Sequence, residues 1–183
     1  MQTIVLWKGI DYNSLEHCKV LEQEDGAEIT SVIVGSSGRR TYRIDYRVRT
    51  NHNWQMLHAE LKAVIDGAEQ TYVMSTDGVG DWMMNGRAMP EFAGCTDIDI
   101  PLTPFTNTLP IRRLKLAVAK EAEVQVVYFD LMEGSIRPVQ QRYMRMSEHV
   151  YHYENIPNDF EADIKVDDHG LVVDYPSLFV RGV

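Results

Sequence analysis

Alternation of apolar and polar side chains with a period of two is the dominant pattern along this chain. Its clearest example runs from Arg40 to Thr50, where the apolar positions are Tyr42, Ile44, Tyr46 and Val48. Successive side chains of a β-strand point to opposite faces, so this segment is predicted to form a half-buried antiparallel strand. The same reasoning predicts further strands over residues 14–22, 28–35, 57–65, 69–75, 112–118, 122–131, 137–146, 149–154 and 160–166.

Dipeptides that tolerate a positive φ separate these predicted strands. They are Asp25-Gly26, Asp66-Gly67, Asp77-Gly78, Asn85-Gly86, Glu133-Gly134 and His169-Gly170. No convincing helical pattern of about ten or more residues lies between them, which argues against alternating strands and helices. The sequence therefore predicts a mainly β fold, with residues 1–183 forming a single-domain antiparallel β-roll or half-barrel.

A proline-bracketed segment interrupts this rhythm and predicts one short helical turn around residues 103–109. Thr103 can cap a helix, and Pro104 suits the first helical position because its missing N–H needs no partner there. Pro110 disfavours helical geometry at Leu109, so the turn is expected to end before it.

Composition and charge narrow the classes of partner. The 183 residues are 44% hydrophobic and 25% charged, which is ordinary for a folded domain of this length. The formal net charge is −9. Nucleic-acid-binding proteins need a basic face that neutralises phosphates, so DNA and RNA are not expected as partners.

The N-terminus and the cysteines bear on localisation. Residues 1–14 lack a basic region followed by a long apolar run, and nowhere do about 18 apolar residues occur in succession. A signal peptide and a membrane span are therefore not expected. Cys18 and Cys95 are too few for a typical disulfide framework. Both are interpreted as reduced thiols of a cytoplasmic protein.

The segment from Gly94 to Leu114 places four ionic residues in apolar and hydroxyl-rich surroundings: Asp97, Asp99, Arg112 and Arg113. In an extended segment Asp97 and Asp99 point to the same side, and a buried carboxylate needs a partner. Guanidinium groups can hold carboxylates with two hydrogen bonds. Because the two arginines are expected to alternate, only one should share a face with a given carboxylate.

Three interpretations of this cluster stay open. It is a structural ion-pair network, or the polar end of an apolar cavity that holds a sugar, phosphate or carboxylate head group, or a pair of aspartates that act as catalytic acid and base or as metal ligands. No histidine or cysteine lies nearby at ligand spacing, so no metal and no catalytic residue is assigned. Gly78-Val79-Gly80 is too short for a dinucleotide fingerprint, and no cofactor is predicted.

Several motifs resemble those of a known family. Asp97-Ile98-Asp99, followed by the run from Thr103 to Arg113, is similar to the signature of the bacterial putative glycolipid-binding family, first catalogued as a domain of unknown function. Three further segments agree with it: Asp77 to Trp82, Gln141 with Tyr143, and Asp167 with the run from Gly170 to Pro176. The resemblance thus spans nearly the whole chain.

The resemblance implies a spiral β-roll with a concave apolar face, similar to carriers of bacterial lipoproteins and glycolipids. It also implies a set of ligand-binding residues on the matching motifs: Trp82, Asp97, Asp99, Thr106, Asn107, Arg112, Arg113, Gln141 and Tyr143. The leading hypothesis is therefore a non-catalytic protein that binds a lipid or glycolipid-like amphiphile in a concave cavity, with an Asp/Arg anchor for the polar head.

Two other classes of function remain as alternatives. One is a hydrolase that acts on a sugar or phosphoester through Asp97 and Asp99, whose side chains on one strand face can approach the separation that a retaining glycosidase needs. The other is an interaction scaffold whose sheet edge or apolar patch recruits a protein partner, including a second copy in a homodimer.

Overall fold

The computed structural model describes residues 1–78, 80–157 and 159–182. In these residues fifteen strands form one continuous sheet. The first eight strands are β1 (Gln2–Gly9), β2 (Ser14–Gln23), β3 (Gly26–Ser37), β4 (Arg40–Asn51), β5 (Met56–Ile65), β6 (Ala68–Thr76), β7 (Trp82–Met84) and β8 (Arg87–Ala88). The other seven are β9 (Asp97–Asp99), β10 (Glu121–Asp130), β11 (Ser135–Arg145), β12 (Val150–Ile156), β13 (Glu161–Val166), β14 (Val172–Tyr175) and β15 (Phe179–Arg181).

The sheet grows in two directions from β1. Strands β2 to β8 follow on one side in chain order, and β15 back to β9 follow on the other. Every neighbouring pair is antiparallel except β9 and β10, which run parallel. The prediction of a mainly β, antiparallel fold is confirmed, with this one parallel pair as an exception.

Most of the alternation predicted for individual strands is present. In β4 the side chains of Tyr42, Ile44, Tyr46 and Val48 are buried, and those of Arg43, Arg47 and Arg49 are exposed. The predicted alternation fails at Leu57, which is 38% exposed. The cause is a register shift between β4 and β5, where Arg49 pairs with His58 but Thr50 pairs with Met56, so that Leu57 has no direct partner.

The sheet curls so that its two ends approach each other. Tyr72 on β6 lies near one end of the strand order, and Phe129 on β10 lies near the other. Their ring centroids are nevertheless 5.6 Å apart. Two apolar clusters fill the resulting interior, one mainly from β1 to β7 and one mainly from β10 to β15. Phe105 and Leu109 belong to the first cluster, so the proline-bracketed segment packs inside the curl.

The helical segment extends further than the sequence predicts. A 3₁₀ turn at Phe105–Asn107 is followed directly by helix α1, which spans Thr108–Leu114. The backbone N–H of Phe105 donates to the Thr103 hydroxyl oxygen at 3.0 Å, as expected for a cap. Pro110 does not end the helix, because it falls in the first turn of α1, where its missing N–H leaves no hydrogen bond unmade. The strand predicted over 112–118 is wrong.

A second 3₁₀ turn covers Pro90–Phe92. Val79, which belongs to the glycine-containing motif before β7, lies outside the described residues. Among the described residues, no helix combines the length and the apolar character that crossing a membrane would require.

Candidate ligand-binding cleft

A cleft of about 350 Å³ opens where the β1–β2 turn and strands β12 to β15 approach β9, β10 and the proline-bracketed segment. This volume lies at the lower end of the range typical of small-molecule sites. The described residues that line the cleft are Asp11, Tyr12, Asp99, Pro101, Thr103, Asn107, Tyr128, Tyr153, Asn155, Phe160, Tyr175, Leu178 and Phe179.

Asp99 supplies the best-defined polar group of the cleft. Its Oδ1 accepts a hydrogen bond from the Thr106 hydroxyl at 2.9 Å, and its Oδ2 accepts one from the Gln141 side-chain amide at 2.7 Å. Both donors are neutral and buried. The carboxyl is thus fixed in position by two side chains behind it while it borders the open cleft.

Burial dominates the electrostatics of this wall. It raises the pKa of the Asp99 carboxyl above its ordinary value, while the hydrogen bonds from Thr106 and Gln141 oppose that rise. Burial, followed by the charge of Asp99, raises the pKa of Tyr12 to about 12. The same two causes, in the same order, raise the pKa of Tyr175. The tyrosines of the cleft are therefore neutral phenols near neutral pH.

The lining also includes a continuous series of aromatic rings. Neighbouring ring centroids are 5.5 to 6.3 Å apart along the series Tyr12, Phe179, Tyr175, Tyr153 and Phe160. These separations are typical of tilted and edge-to-face aromatic pairs, which hold one another in place. The cleft therefore combines this aromatic wall with the Asp99 carboxyl.

Asp97 and Arg113 pair with each other away from the cleft. The Asp97 side chain is fully buried and the Arg113 side chain is 16% exposed. Arg113 donates to both carboxylate oxygens, and the Thr96 hydroxyl donates to Oδ2 at 2.9 Å. Neither Asp97 nor Arg113 lines the cleft. The two aspartates therefore do not face a common hollow, although both lie on β9.

Arg112 is directed elsewhere by the helix. Its guanidinium donates to the His169 carbonyl oxygen at 2.7 Å and to the Glu22 carboxylate at 2.8 Å, and it lies 4.3 Å from the Trp54 ring centroid. Adjacent residues on a helix point in different directions, which explains why only Arg113 reaches an aspartate of β9. The structure thus does not bring Arg112 to the cleft.

The remaining predicted site residues differ in their distance from the cleft. Asn107 lines it, and Tyr143 supports it from behind by donating to Asn107 Oδ1 at 2.9 Å. Trp82 lies in a separate hollow of about 480 Å³, where its indole N–H donates to the Cys95 carbonyl oxygen at 2.9 Å. The structure therefore brings together Asp99, Thr106, Asn107, Gln141 and Tyr143, but not Trp82.

Replacing Tyr143 by phenylalanine is expected to lower the free energy of unfolding by about 2 kcal/mol, because the buried Asn107 oxygen loses its donor. Tyr151→Phe is the matched control, since the Tyr151 hydroxyl forms no hydrogen bond within the described residues, and its loss should stay below about 0.5 kcal/mol. Urea unfolding measures both values. Equal losses in the two variants would show that the Tyr143 hydroxyl does not support the cleft.

A group with spacing suited to a metal ion lies on the other face of the sheet. Among the residues that the structure describes, His152, Glu154 and Glu161 place ligand atoms within 4.8 Å of one another. Strand alternation directs His152 and Glu154 away from Tyr153, which lines the cleft. His152 Nδ1 lies 2.8 Å from Asp163, and Arg142 pairs with Glu154. These side chains are engaged with neighbours, and no cofactor is assigned to them.

Sequence reasoning missed most of the aromatic wall. Its members come from the β1–β2 turn, β12, the residue before β13, β14 and β15, so nothing local in the sequence groups them. Alternation places Tyr153 on the buried face of β12, and that is the one signal by which it could have been selected. Alternation also puts Phe160 on the apolar face of the strand predicted over 160–166, and Tyr175 lies in the matching run from Gly170 to Pro176, but neither signal indicated a ligand site. Tyr12 and Phe179 had no such signal.

Comparison with known proteins agrees with this architecture. A family model described as Putative glycolipid-binding matches residues 4–181. The crystal structure of a DUF1089 family protein from Pseudomonas aeruginosa is 35% identical, with a TM-score of 0.83 over 91% of this chain and 92% of that one. A beta-barrel-like protein of DUF1849 from Brucella abortus shares the fold at 10% identity, with a TM-score of 0.51 over 99% of this chain and 93% of that one. No curated protein matches the chain.

Proposed function

Because the chain belongs to the Putative glycolipid-binding family, we propose that it is a non-catalytic binding protein whose cleft holds the polar head of a lipid or glycolipid-like amphiphile. The observation that carries this proposal is the pairing of a continuous aromatic wall with the Asp99 carboxyl in one hollow of about 350 Å³. Ligand sites are typically apolar surfaces with a few fixed polar groups, and this cleft has that character.

The lining residues of the cleft supply two kinds of contact, one apolar and one polar. Aromatic faces contact the apolar face of a head group, and Asp99, Asn107 and Asn155 offer hydrogen-bonding groups at its polar positions. The Tyr153 hydroxyl donates to Asn155 Oδ1 at 2.6 Å, which holds that amide in place. The site therefore distinguishes head groups by the pattern of their polar atoms.

The size of the cleft limits what it encloses. A volume of about 350 Å³ suits a head group and the first part of an alkyl chain more than a whole lipid. Each methylene that is buried contributes about 0.8 kcal/mol, so even a short enclosed stretch of the chain adds useful affinity. We therefore expect the ligand's affinity to depend on its head group more than on the full length of its tail.

Titration calorimetry with decyl glucoside, kept below its micelle-forming concentration, tests this proposal. The wild-type protein is expected to bind it, and Leu178→Trp is expected to weaken binding by at least about tenfold, because the indole occupies part of the cleft. Val180→Trp is the matched control, since Val180 is exposed and does not line the cleft. Binding that both variants retain equally would place the ligand elsewhere.

A further inference from the structure

We infer that the head group selected by this cleft carries a positively charged nitrogen, an ammonium group, with Asp99 as its counter-ion. This inference rests on the proposed function of the cleft and specifies the chemistry of its ligand. It differs from the expectation drawn from the sequence, in which two arginines helped to hold a sugar, phosphate or carboxylate head.

The side chains that line the cleft favour a positively charged ligand. Two of the described residues that line the cleft are acidic, Asp11 and Asp99, and none is basic. The arginines expected beside Asp99 are bound elsewhere, Arg113 to Asp97 and Arg112 to Glu22. An anionic head group would therefore meet two like charges and no compensating donor of opposite sign, which disfavours its binding.

Asp99 has no positively charged partner among the described residues. Within the described part of the chain, no basic side chain forms an ion pair with this carboxyl. Its two side-chain partners, Thr106 and Gln141, are neutral donors. A desolvated carboxylate without a cation is costly, whereas its neighbour Asp97 has an arginine. A bound ammonium would supply the charge that Asp99 lacks.

The aromatic wall also suits a positively charged ligand. Ring faces attract cations, and a cage of several rings is a known way to hold a substituted ammonium group. Tyr12, Tyr175, Tyr153 and Phe179 are neighbours in the continuous aromatic wall that lines the cleft. Tyr128 differs from them, because the Arg137 guanidinium already lies 5.1 Å from its ring centroid. The aromatic wall and Asp99 thus both favour a positively charged ligand.

Three amphiphiles with the same decyl chain test the inference at low salt: decyltrimethylammonium, decyl glucoside and decyl sulfate. Calorimetric titration of the wild-type protein is expected to show the cation binding at least about tenfold more tightly than the glucoside, with the sulfate weakest. Asp99→Asn should remove most of this preference. Asp11→Asn, at the same cleft, provides a second variant should Asp99→Asn fold poorly, and it should reduce the preference more modestly.

The outcomes separate this inference from the proposed function. Binding of the glucoside with no preference for the cation would overturn the inference and leave the proposed function intact. Failure of both decyltrimethylammonium and decyl glucoside to bind would overturn the proposed function. Tetramethylammonium, which has no tail, identifies the source of the ammonium: competition by it alone indicates a soluble amine, and a requirement for the decyl chain indicates a lipid, with the inference upheld in either case.

Discussion

Replacing Arg113 by methionine is expected to lower the free energy of unfolding by about 3–5 kcal/mol, the range observed when a buried ion pair loses one partner. Asp97 is fully buried, and Arg113 is its only basic partner among the described residues. Without the guanidinium, the Asp97 carboxylate stays buried with no group of opposite charge beside it, which is costly. Urea unfolding near neutral pH measures the change.

Two controls isolate the buried charge as the cause. Asp97→Asn combined with Arg113→Met removes both charges, so the double variant should be more stable than Arg113→Met alone. Arg112→Met removes a neighbouring arginine whose ion pair with Glu22 is about a quarter exposed at each side chain, and its loss should be about 1–2 kcal/mol. Equal losses of unfolding free energy in Arg112→Met and Arg113→Met would show that the buried Asp97–Arg113 pair contributes no more to stability than the partly exposed Glu22–Arg112 pair.

The stability of the protein is expected to fall by roughly 3 kcal/mol on account of Glu16 as the pH rises from about 4.5 to about 7. Burial raises the pKa of this carboxyl from 4.5 to about 7, against the hydrogen bonds from Tyr46, Ser31 and Thr103. Glu16 is 2% exposed. Among the described buried side chains, its Oε2 is the one oxygen or nitrogen that lacks a hydrogen-bond partner.

The sign of this effect follows from which state binds the proton more tightly. Below about pH 4.5 the Glu16 carboxyl is protonated in both the folded and the unfolded protein, so its ionisation does not lower the free energy of unfolding. Between pH 4.5 and about 7 the unfolded chain releases the proton while the folded protein keeps it, so unfolding becomes easier as the pH rises. Above pH 7 the loss is complete and constant.

Comparison with Glu16→Gln isolates this contribution from those of other carboxyl groups. The variant does not titrate at this position, so its stability relative to the wild type should rise by roughly 3 kcal/mol between pH 4.5 and 7.5. A difference in unfolding free energy between the variant and the wild type that is the same at every pH reflects only how the introduced glutamine amide packs. Glu24→Gln, in the exposed β2–β3 turn, controls for the loss of one negative charge. Parallel pH profiles for wild type and Glu16→Gln would contradict the prediction.

The local pattern of the sequence was sufficient for most of the strands and insufficient for the helix. Alternation placed Tyr42 to Val48 correctly, because strand periodicity is a property of adjacent residues. It failed at 112–118, because the rule that proline ends a helix does not hold in the first turn, where Pro110 lies. The expectation that only one arginine reaches a given carboxylate still agrees with the structure, because Arg113 pairs with Asp97 and Arg112 pairs with Glu22.

The candidate site was predictable only in part for a similar reason. Asp99 and Asn107 lie in the segment that the sequence singled out, and both line the cleft. Tyr12, Tyr175 and Phe179 come from opposite ends of the chain and meet only because β1 pairs with β15. The pairing of β1 with β15 joins residues far apart in the sequence, and no local sequence pattern predicts it. The meeting of these three rings and the excess of acidic over basic residues in the cleft are therefore visible only in the structure.

The most direct test of the account is native mass spectrometry of the protein purified from its own host, compared with Leu178→Trp and Val180→Trp purified in the same way. We expect a defined amphiphile to be bound to the wild type and to Val180→Trp, and to be absent from Leu178→Trp. An empty wild-type protein that also rejects the decyl amphiphiles, or a ligand retained equally by Leu178→Trp, would contradict this expectation.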